Sequence, residues 1–202
     1  MFDDQLVRLA RILGTDEGAG AKLDAYVNEL QQGSLLSELD QVMRTVPGFE
    51  SAYSRRLEDF SFFRTMLYVL TRLLRPSLVI ETGVLNGFSS AFILQAMDDN
   101  GDAGKLVSID LPSESDSLLH QGTSALPEAK APGWVVPMRL RERQVIVLGR
   151  AQELLPQVIL DYGAPEMFIH DSDHSYPHMI FEISYVWLMM REGGVMVIDN
   201  VE

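Results

Sequence analysis

Cysteine is absent from this chain of 202 residues. That removes a disulfide framework, a cysteine nucleophile and any thiolate-bound metal from consideration. Lysine is almost as scarce: the 16 basic side chains include only Lys22, Lys105 and Lys130, so a lysine general base has three places to come from. The bases are outnumbered by 29 acidic residues, for a formal net charge of −13. A surface of that sign repels phosphate backbones and argues against a nucleic-acid partner. Long hydrophobic runs are missing too. The most apolar stretch, 179–190, is broken by Glu182 and Ser184 and is too short to span a bilayer. The opening Met1-Phe2-Asp3-Asp4 lacks the basic and apolar regions of a signal peptide, so a cytoplasmic location without a membrane partner is expected. No internal repeat and no low-complexity tract occurs.

What remains has the composition of a globular domain, 47% hydrophobic and 22% charged, which excludes disordered and collagen-like classes. The length suits one domain with a small appendage and a sizeable core. Composition shifts near Pro76, which divides the chain into an N-terminal helical cap, 1–75, and a core, 76–202. Before Pro76 the apolar spacing is helical. Leu6, Val7, Leu9, Ala10, Ile12 and Leu13 mark one helix, ended near Gly14. Ser34 is placed to cap a second, with Leu35, Leu36, Leu39, Val42, Met43 and Val46 on its apolar side, stopped by Pro47-Gly48. A third runs from about Arg56 to Leu74 through Phe60, Phe63, Leu67 and Leu70.

After Pro76 short apolar runs at 78–82, 106–109, 145–148, 167–169 and 195–198 read as buried strands, with helical stretches at 89–97, 151–159 and 177–190 between them. Strands alternating with helices predict an α/β fold, a doubly wound parallel sheet with helices on both faces. The stretch 111–143, rich in Ser, Pro and Gly, is long for a plain connection and is expected to be a partly ordered loop or lid. Within it Arg139, Arg141 and Arg143 alternate as on one solvated face of an extended segment.

Ligands of such sheets bind beyond the carboxyl ends of the strands. The first strand runs there into Glu81-Thr82-Gly83-Val84-Leu85-Asn86-Gly87-Phe88-Ser89. Gly83 and Gly87 permit backbone conformations and approaches that a Cβ would block. The second strand ends in Asp110, a carboxylate able to accept two ribose hydroxyls. A dinucleotide-binding G-x-G-x-x-G would need glycines where Leu85 and Phe88 stand, which disfavours NAD or FAD. A tight turn without a ligand is the plain alternative. At the end of the fourth strand lies His170-Asp171-Ser172-Asp173-His174-Ser175-Tyr176, and at the end of the fifth Asp199-Asn200. Adjacent strand ends are neighbours, so Asp171, Asp199 and Asn200 can converge as hard oxygen ligands suited to Mg²⁺. Their alternative role is to cap the helices that follow. His170 and His178 read as structural, and an iron site drawn from His170, His174, His178 and Asp171 is poorly motivated by such local clustering.

Glu81-x-Gly83-x-x-x-Gly87-x-Ser89 followed by Asp110 resembles the first two motifs of the class I S-adenosylmethionine-dependent methyltransferases. Gly149-Arg150-Ala151-Gln152-Glu153-Leu154-Leu155-Pro156, the 168–176 stretch and Gly193-Gly194 through Asn200 continue the resemblance in order, over roughly residues 75–202. It implies a Rossmann-like doubly wound parallel sheet of the class I methyltransferase type, with an N-terminal helical extension and a C-terminal hairpin apparently missing after Glu202. It further implies S-adenosylmethionine as cofactor, held by Glu81, Gly83, Asn86, Gly87, Ser89, Asp110, Arg150, Ala151 and Asp171, with Gly83 under the methionine part, Asp110 on the ribose and Arg150-Ala151 by the adenine.

The Asp171, Asp199-Asn200 pattern is similar to that of catechol-type and macrolide-sugar O-methyltransferases, which implies Mg²⁺ on Asp171, Asp199 and Asn200. The catechol-type enzymes carry a lysine base three residues past the metal aspartate. Here that position is His174, as in the macrolide-sugar enzymes, and histidine titrates near neutrality. The implied activity is Mg-dependent O-methylation of a small-molecule acceptor with His174 as general base. The alternatives are a metal-independent methyltransferase and a non-catalytic cofactor-binding protein. The N-terminal helices are expected to cap the strand ends or to pair between chains as a homo-oligomer. The 195–198 run is expected to be a strand buried on both faces, its edge covered by further chain or by another chain.

Overall fold

The computed structural model describes residues 19–49, 61–101, 103–112 and 126–199. The helix expected at 6–13, the start of the third helix and Asn200 lie outside these. Three helices lead in: α1 (Ala19–Gln32), α2 (Leu35–Met43) and α3 (Ser61–Leu74). The core then alternates: β1 (Leu78–Thr82), α4 (Phe88–Asn100), β2 (Lys105–Asp110), a 3-10 helix Met138–Arg143, β3 (Gln144–Leu148), α5 (Ala151–Tyr162), β4 (Met167–His170), α6 (Tyr176–Met189) and β5 (Val195–Ile198).

All four strand pairings are parallel, in the order β3-β2-β1-β4-β5. The chain winds outward from β1 through β2 to β3, then returns to add β4 on the other side of β1. The order therefore reverses between β1 and β4, which opens a crevice at their carboxyl ends. Every residue of β1 is buried, as continuous apolar runs require in a sheet covered on both faces. Each fully buried Val, Leu or Ile stabilises the fold by roughly 1.5–3 kcal/mol.

Helices cover both faces. Leu23, Leu30, Leu35, Leu39 and Met43 of the N-terminal helices join Leu67 to Leu70 of α3 and Phe92, Ile93, Leu94, Ala96 and Met97 of α4 in one apolar cluster. Leu155, Val158 and Ile159 of α5 and Val186 of α6 pack with Ile80, Val107, Ile109 and Phe168 on the other face. The described N-terminal helices thus extend the layer built on α3 and α4. No helix among the described residues is long and apolar enough to cross a membrane.

Several local expectations change. Ser34 is in helical conformation and makes no side-chain cap; its hydroxyl bonds the Glu38 carboxylate instead. Leu36 faces solvent. Only Val197 of β5 is buried, its neighbours being half-buried at this edge of the described sheet. The described half of the expected lid belongs to the core: Trp134, Val135, Val136 and Leu140 are buried. Arg139, Arg141 and Arg143 lie on the 3-10 helix, not on an extended strand. Arg139 reaches Glu38, Gln95 and Asp98, and Arg141 donates to the Val136 and Trp134 carbonyls. Arg139 and Arg141 stay exposed to solvent, as expected, while nearby carboxylates and carbonyls also accept from their guanidinium groups.

Candidate functional site

The crevice is framed by the turn from β1 into α4. Gly83 and Gly87 have φ of 85° and 94°, and Leu85 also has a positive φ of 47°. Asp110, at the end of β2, fastens this turn. Its Oδ2 accepts the amides of Val84 (3.1 Å) and Leu85 (2.6 Å), and its Oδ1 accepts that of Leu111 (2.7 Å). The 133–135 segment closes over the turn: Gly133 and Val135 donate to the Leu85 and Asn86 carbonyls, and Trp134 Nε1 donates to Asn86 Oδ1 at 2.7 Å. Gly87 lets that segment approach, since a Cβ there would stand 2.6 Å from Gly133 Cα.

Glu81 lies beneath the turn, fully buried. It accepts Ser89 Oγ (2.5 Å), Ser90 Oγ (2.6 Å) and Ser108 Oγ (2.9 Å). Burial raises its pKa, the three hydroxyls oppose that rise, and the charge of Asp110 adds to it. Glu81, Asn86 and Ser89 thus bond this chain itself and hold the turn in shape. Gly149 donates to the Asp110 carbonyl at 2.8 Å, which brings the start of α5, exposed Arg150 and buried Ala151, beside the end of β2.

The other wall holds the acidic pair. His170 pairs with Ile198 across β4 and β5, so the next residues, Asp171 and Asp199, emerge side by side. The Asp171 amide donates to the Thr82 carbonyl (2.9 Å) and the Asp199 amide to the His170 carbonyl (3.0 Å). Oxygens of Asp171 and Asp199 and a ring nitrogen of His174 all lie within 4.8 Å of one another. His174 Nε2 stands 3.8 Å from Asp171 Oδ1. Burial, then the charges of Asp199 and Glu81 and a hydrogen bond to Asp199, push Asp171 up to about 8; the Arg64 guanidinium opposes the rise. Two carboxylates this close share a proton or hold a cation between them. Two carboxylate oxygens and an imidazole fit a divalent ion.

Gly83 ties the two walls together. A Cβ on it would fall 1.9 Å from the Asp171 carbonyl oxygen, so the space beside its Cα belongs to the β4 end. Arg64 was not evident from sequence. It lies on α3 with its guanidinium 4.7 Å over the Phe88 ring, and nothing in a helical apolar stripe distinguishes it. In sequence Glu182 is only a break in an apolar run. It is fully buried and bonds both His170 and His178. Burial raises its pKa, but bonds from His170, His178 and Thr82 outweigh that and hold it down at about 2.

No curated protein matches the sequence. Among the solved structures that share its fold are three methyltransferases. The O-methyltransferase TomG from Streptomyces achromogenes, in complex with SAM, aligns at 19% identity with a TM-score of 0.55, over 81% of this chain and 65% of its own. The O-methyltransferase from Bacillus cereus, in complex with SAH, aligns at 17% identity and 0.56, over 84% and 67%. The SAH-bound Podospora anserina methyltransferase PaMTH1 aligns at 15% identity and 0.54, over 92% and 70%. This chain therefore spans about two thirds of the length of these proteins, and the likeness identifies a Rossmann-like fold of the class I methyltransferase type. A family model described as a methyltransferase domain matches residues 80–201, more than half of the chain, including the glycine turn, Asp110 and the acidic pair, and the protein accordingly belongs to that methyltransferase family.

Proposed function

We propose that this protein is an S-adenosylmethionine-dependent O-methyltransferase acting on a small-molecule hydroxyl with the help of a divalent cation, Mg²⁺ being the natural choice. The convergence of Asp171, Asp199 and His174 within 4.8 Å beside the glycine turn carries this reading. Asn200 is the further proposed ligand. S-adenosylmethionine supplies an electrophilic methyl group. In this reading Asp110, which also holds the turn through its amide bonds, takes the ribose hydroxyls, and Arg150-Ala151 border the adenine. Asp171 and Asp199 would hold a divalent cation, which would offset their charge and make an acceptor hydroxyl more acidic.

In this reading His174, whose Nε2 stands 3.8 Å from Asp171 Oδ1 and whose side chain is accessible, takes the hydroxyl proton. Orientation of the two reactants in the crevice supplies much of the barrier reduction, up to about 7–11 kcal/mol for well-aligned groups. The same 4.8 Å cluster favours a second reading, in which His174 is a third ligand and the base lies elsewhere.

Calorimetry with S-adenosylhomocysteine, Mn²⁺ titration and turnover with and without EDTA test both. As a base, His174→Ala lowers turnover by roughly 10²–10⁴-fold with Mn²⁺ affinity intact. As a ligand, it loses Mn²⁺ affinity as well. Failure to bind S-adenosylhomocysteine would overturn the methyltransferase reading, and EDTA-insensitive turnover would overturn the cation.

A further inference from the structure

Glu182 sits on α6 with no exposed surface, and its carboxylate gathers four partners from three elements. Oε2 accepts Thr82 Oγ1 at 2.6 Å and pairs with His170 Nδ1 at 2.7 Å. Oε1 accepts Ser172 Oγ at 3.1 Å and pairs with His178 Nε2 at 2.5 Å. His178 is itself bonded to Ser172 Oγ (3.0 Å) and, through Nδ1, to Gln152 on α5.

The positions of these partners are informative. His170 and Ser172 flank Asp171 on either side. Thr82 immediately precedes Gly83, and its carbonyl holds the Asp171 amide. The His170 carbonyl holds the Asp199 amide. Each strand end that presents a proposed ligand is therefore tied, by a side chain one bond removed, to one carboxylate. For packing alone an apolar side chain would serve better, because a buried charge costs free energy unless fully partnered. His170 also keeps Nε2 buried without a hydrogen-bond partner, so its orientation is set by Glu182 through Nδ1.

We infer that Glu182 is a positioning residue for the cation site: by clamping His170, Ser172 and Thr82 it fixes the directions in which Asp171 and Asp199 leave their strands. The inference rests on the cation site proposed above. Removing groups that orient metal ligands from behind typically lowers metal affinity by about 10–100-fold.

The test uses the full chain and compares wild type with Glu182→Gln, which keeps the volume but replaces an acceptor oxygen by a donor, and with Ser172→Ala, which removes one bond. Mn²⁺ affinity, S-adenosylhomocysteine affinity and thermal midpoint are read for each. Glu182→Gln is expected to weaken Mn²⁺ binding by about 10–100-fold and to leave S-adenosylhomocysteine affinity unchanged. Ser172→Ala is expected to weaken Mn²⁺ binding less, in the same direction, and it carries the test if Glu182→Gln does not fold. Mn²⁺ affinity equal to wild type in the variants overturns the inference alone, as does a parallel loss of Mn²⁺ and S-adenosylhomocysteine binding with a fallen midpoint. A wild type that binds S-adenosylhomocysteine but no Mn²⁺ overturns the cation site and the inference with it.

Discussion

Asp171 is the residue on which stability and the proposed chemistry conflict. Its ordinary pKa of 3.8 is raised to about 8 by burial and by the neighbouring charges of Asp199 and Glu81. The folded chain thus keeps a proton that the unfolded chain gives up, and the stability associated with this group is present below about 4 and lost as pH rises through about 8. His178 is also raised: burial lowers it, but the bond to Glu182 and the charges of Glu182 and Asp173 prevail. Its contribution therefore disappears in the same direction. Glu182, held at about 2, contributes the opposite slope, lost only in strong acid. The metal-free protein is expected to lose thermal stability between pH 5 and 8, Asp171→Asn to flatten the share due to this group, and a divalent cation to restore stability at the alkaline end. Calorimetric midpoints across pH decide it; an Asp171→Asn profile parallel to wild type would contradict the assignment.

At the scale of elements, the close approach of β1 and β4 makes the crevice. Gly83 and Gly101 separate two effects that sequence cannot distinguish. Both have positive φ, 85° and 68°, but a Cβ on Gly101 meets nothing within 4 Å, whereas one on Gly83 meets the Asp171 backbone. Gly101→Ala is expected to cost only the strain of a left-handed residue, about 1–2 kcal/mol. Gly83→Ala costs that and the displacement of the β4 end, so it destabilises more in urea melts and also weakens Mn²⁺ binding. Equal losses in the two variants would mean that the strand ends yield without consequence. The 133–136 segment belongs to the same scale. Its spacing carries no helix or strand signal, and its place is set by hydrogen bonds to the glycine turn rather than by any local pattern.

For the whole molecule, the question is what holds α1 and α2 to the core. Arg139 bridges α2 to α4 through Glu38 and Asp98, but these side chains are 26–44% exposed, where water screens them. Arg139→Ala is therefore expected to cost less than about 1 kcal/mol and to matter less in high salt. Leu39, on the same helix and buried, is expected to cost about 2–5 kcal/mol on replacement by Ala. Denaturant midpoints of the two variants check this; the reverse ranking would make the ion pairs the main attachment.

The parallel α/β alternation was legible because apolar runs of strand length, such as Leu78–Thr82, alternate with helical spacing, and both periods are local properties. The glycine turn, Asp110, Asp171, His174 and Asp199 were legible because their residue types stand at strand ends, and a doubly wound sheet gathers those ends. Glu182, Arg64 and the 133–136 segment were not. Arg64 and the 133–136 segment come to the crevice from distant parts of the chain, and for Glu182 a charge within an apolar helix reads the same whether it faces water or buried partners. The role of Gly83 was legible only in part: its freedom of φ belongs to the residue, but the atom that occupies the space beside it comes from β4. Residue chemistry and period are written locally, so the chain alone determines which elements form and which groups can react. Proximity between segments far apart in sequence arises only when the sheet closes, and that is why tertiary structure alone decided which carboxylates repel, which histidines are bound and what holds the two acids together.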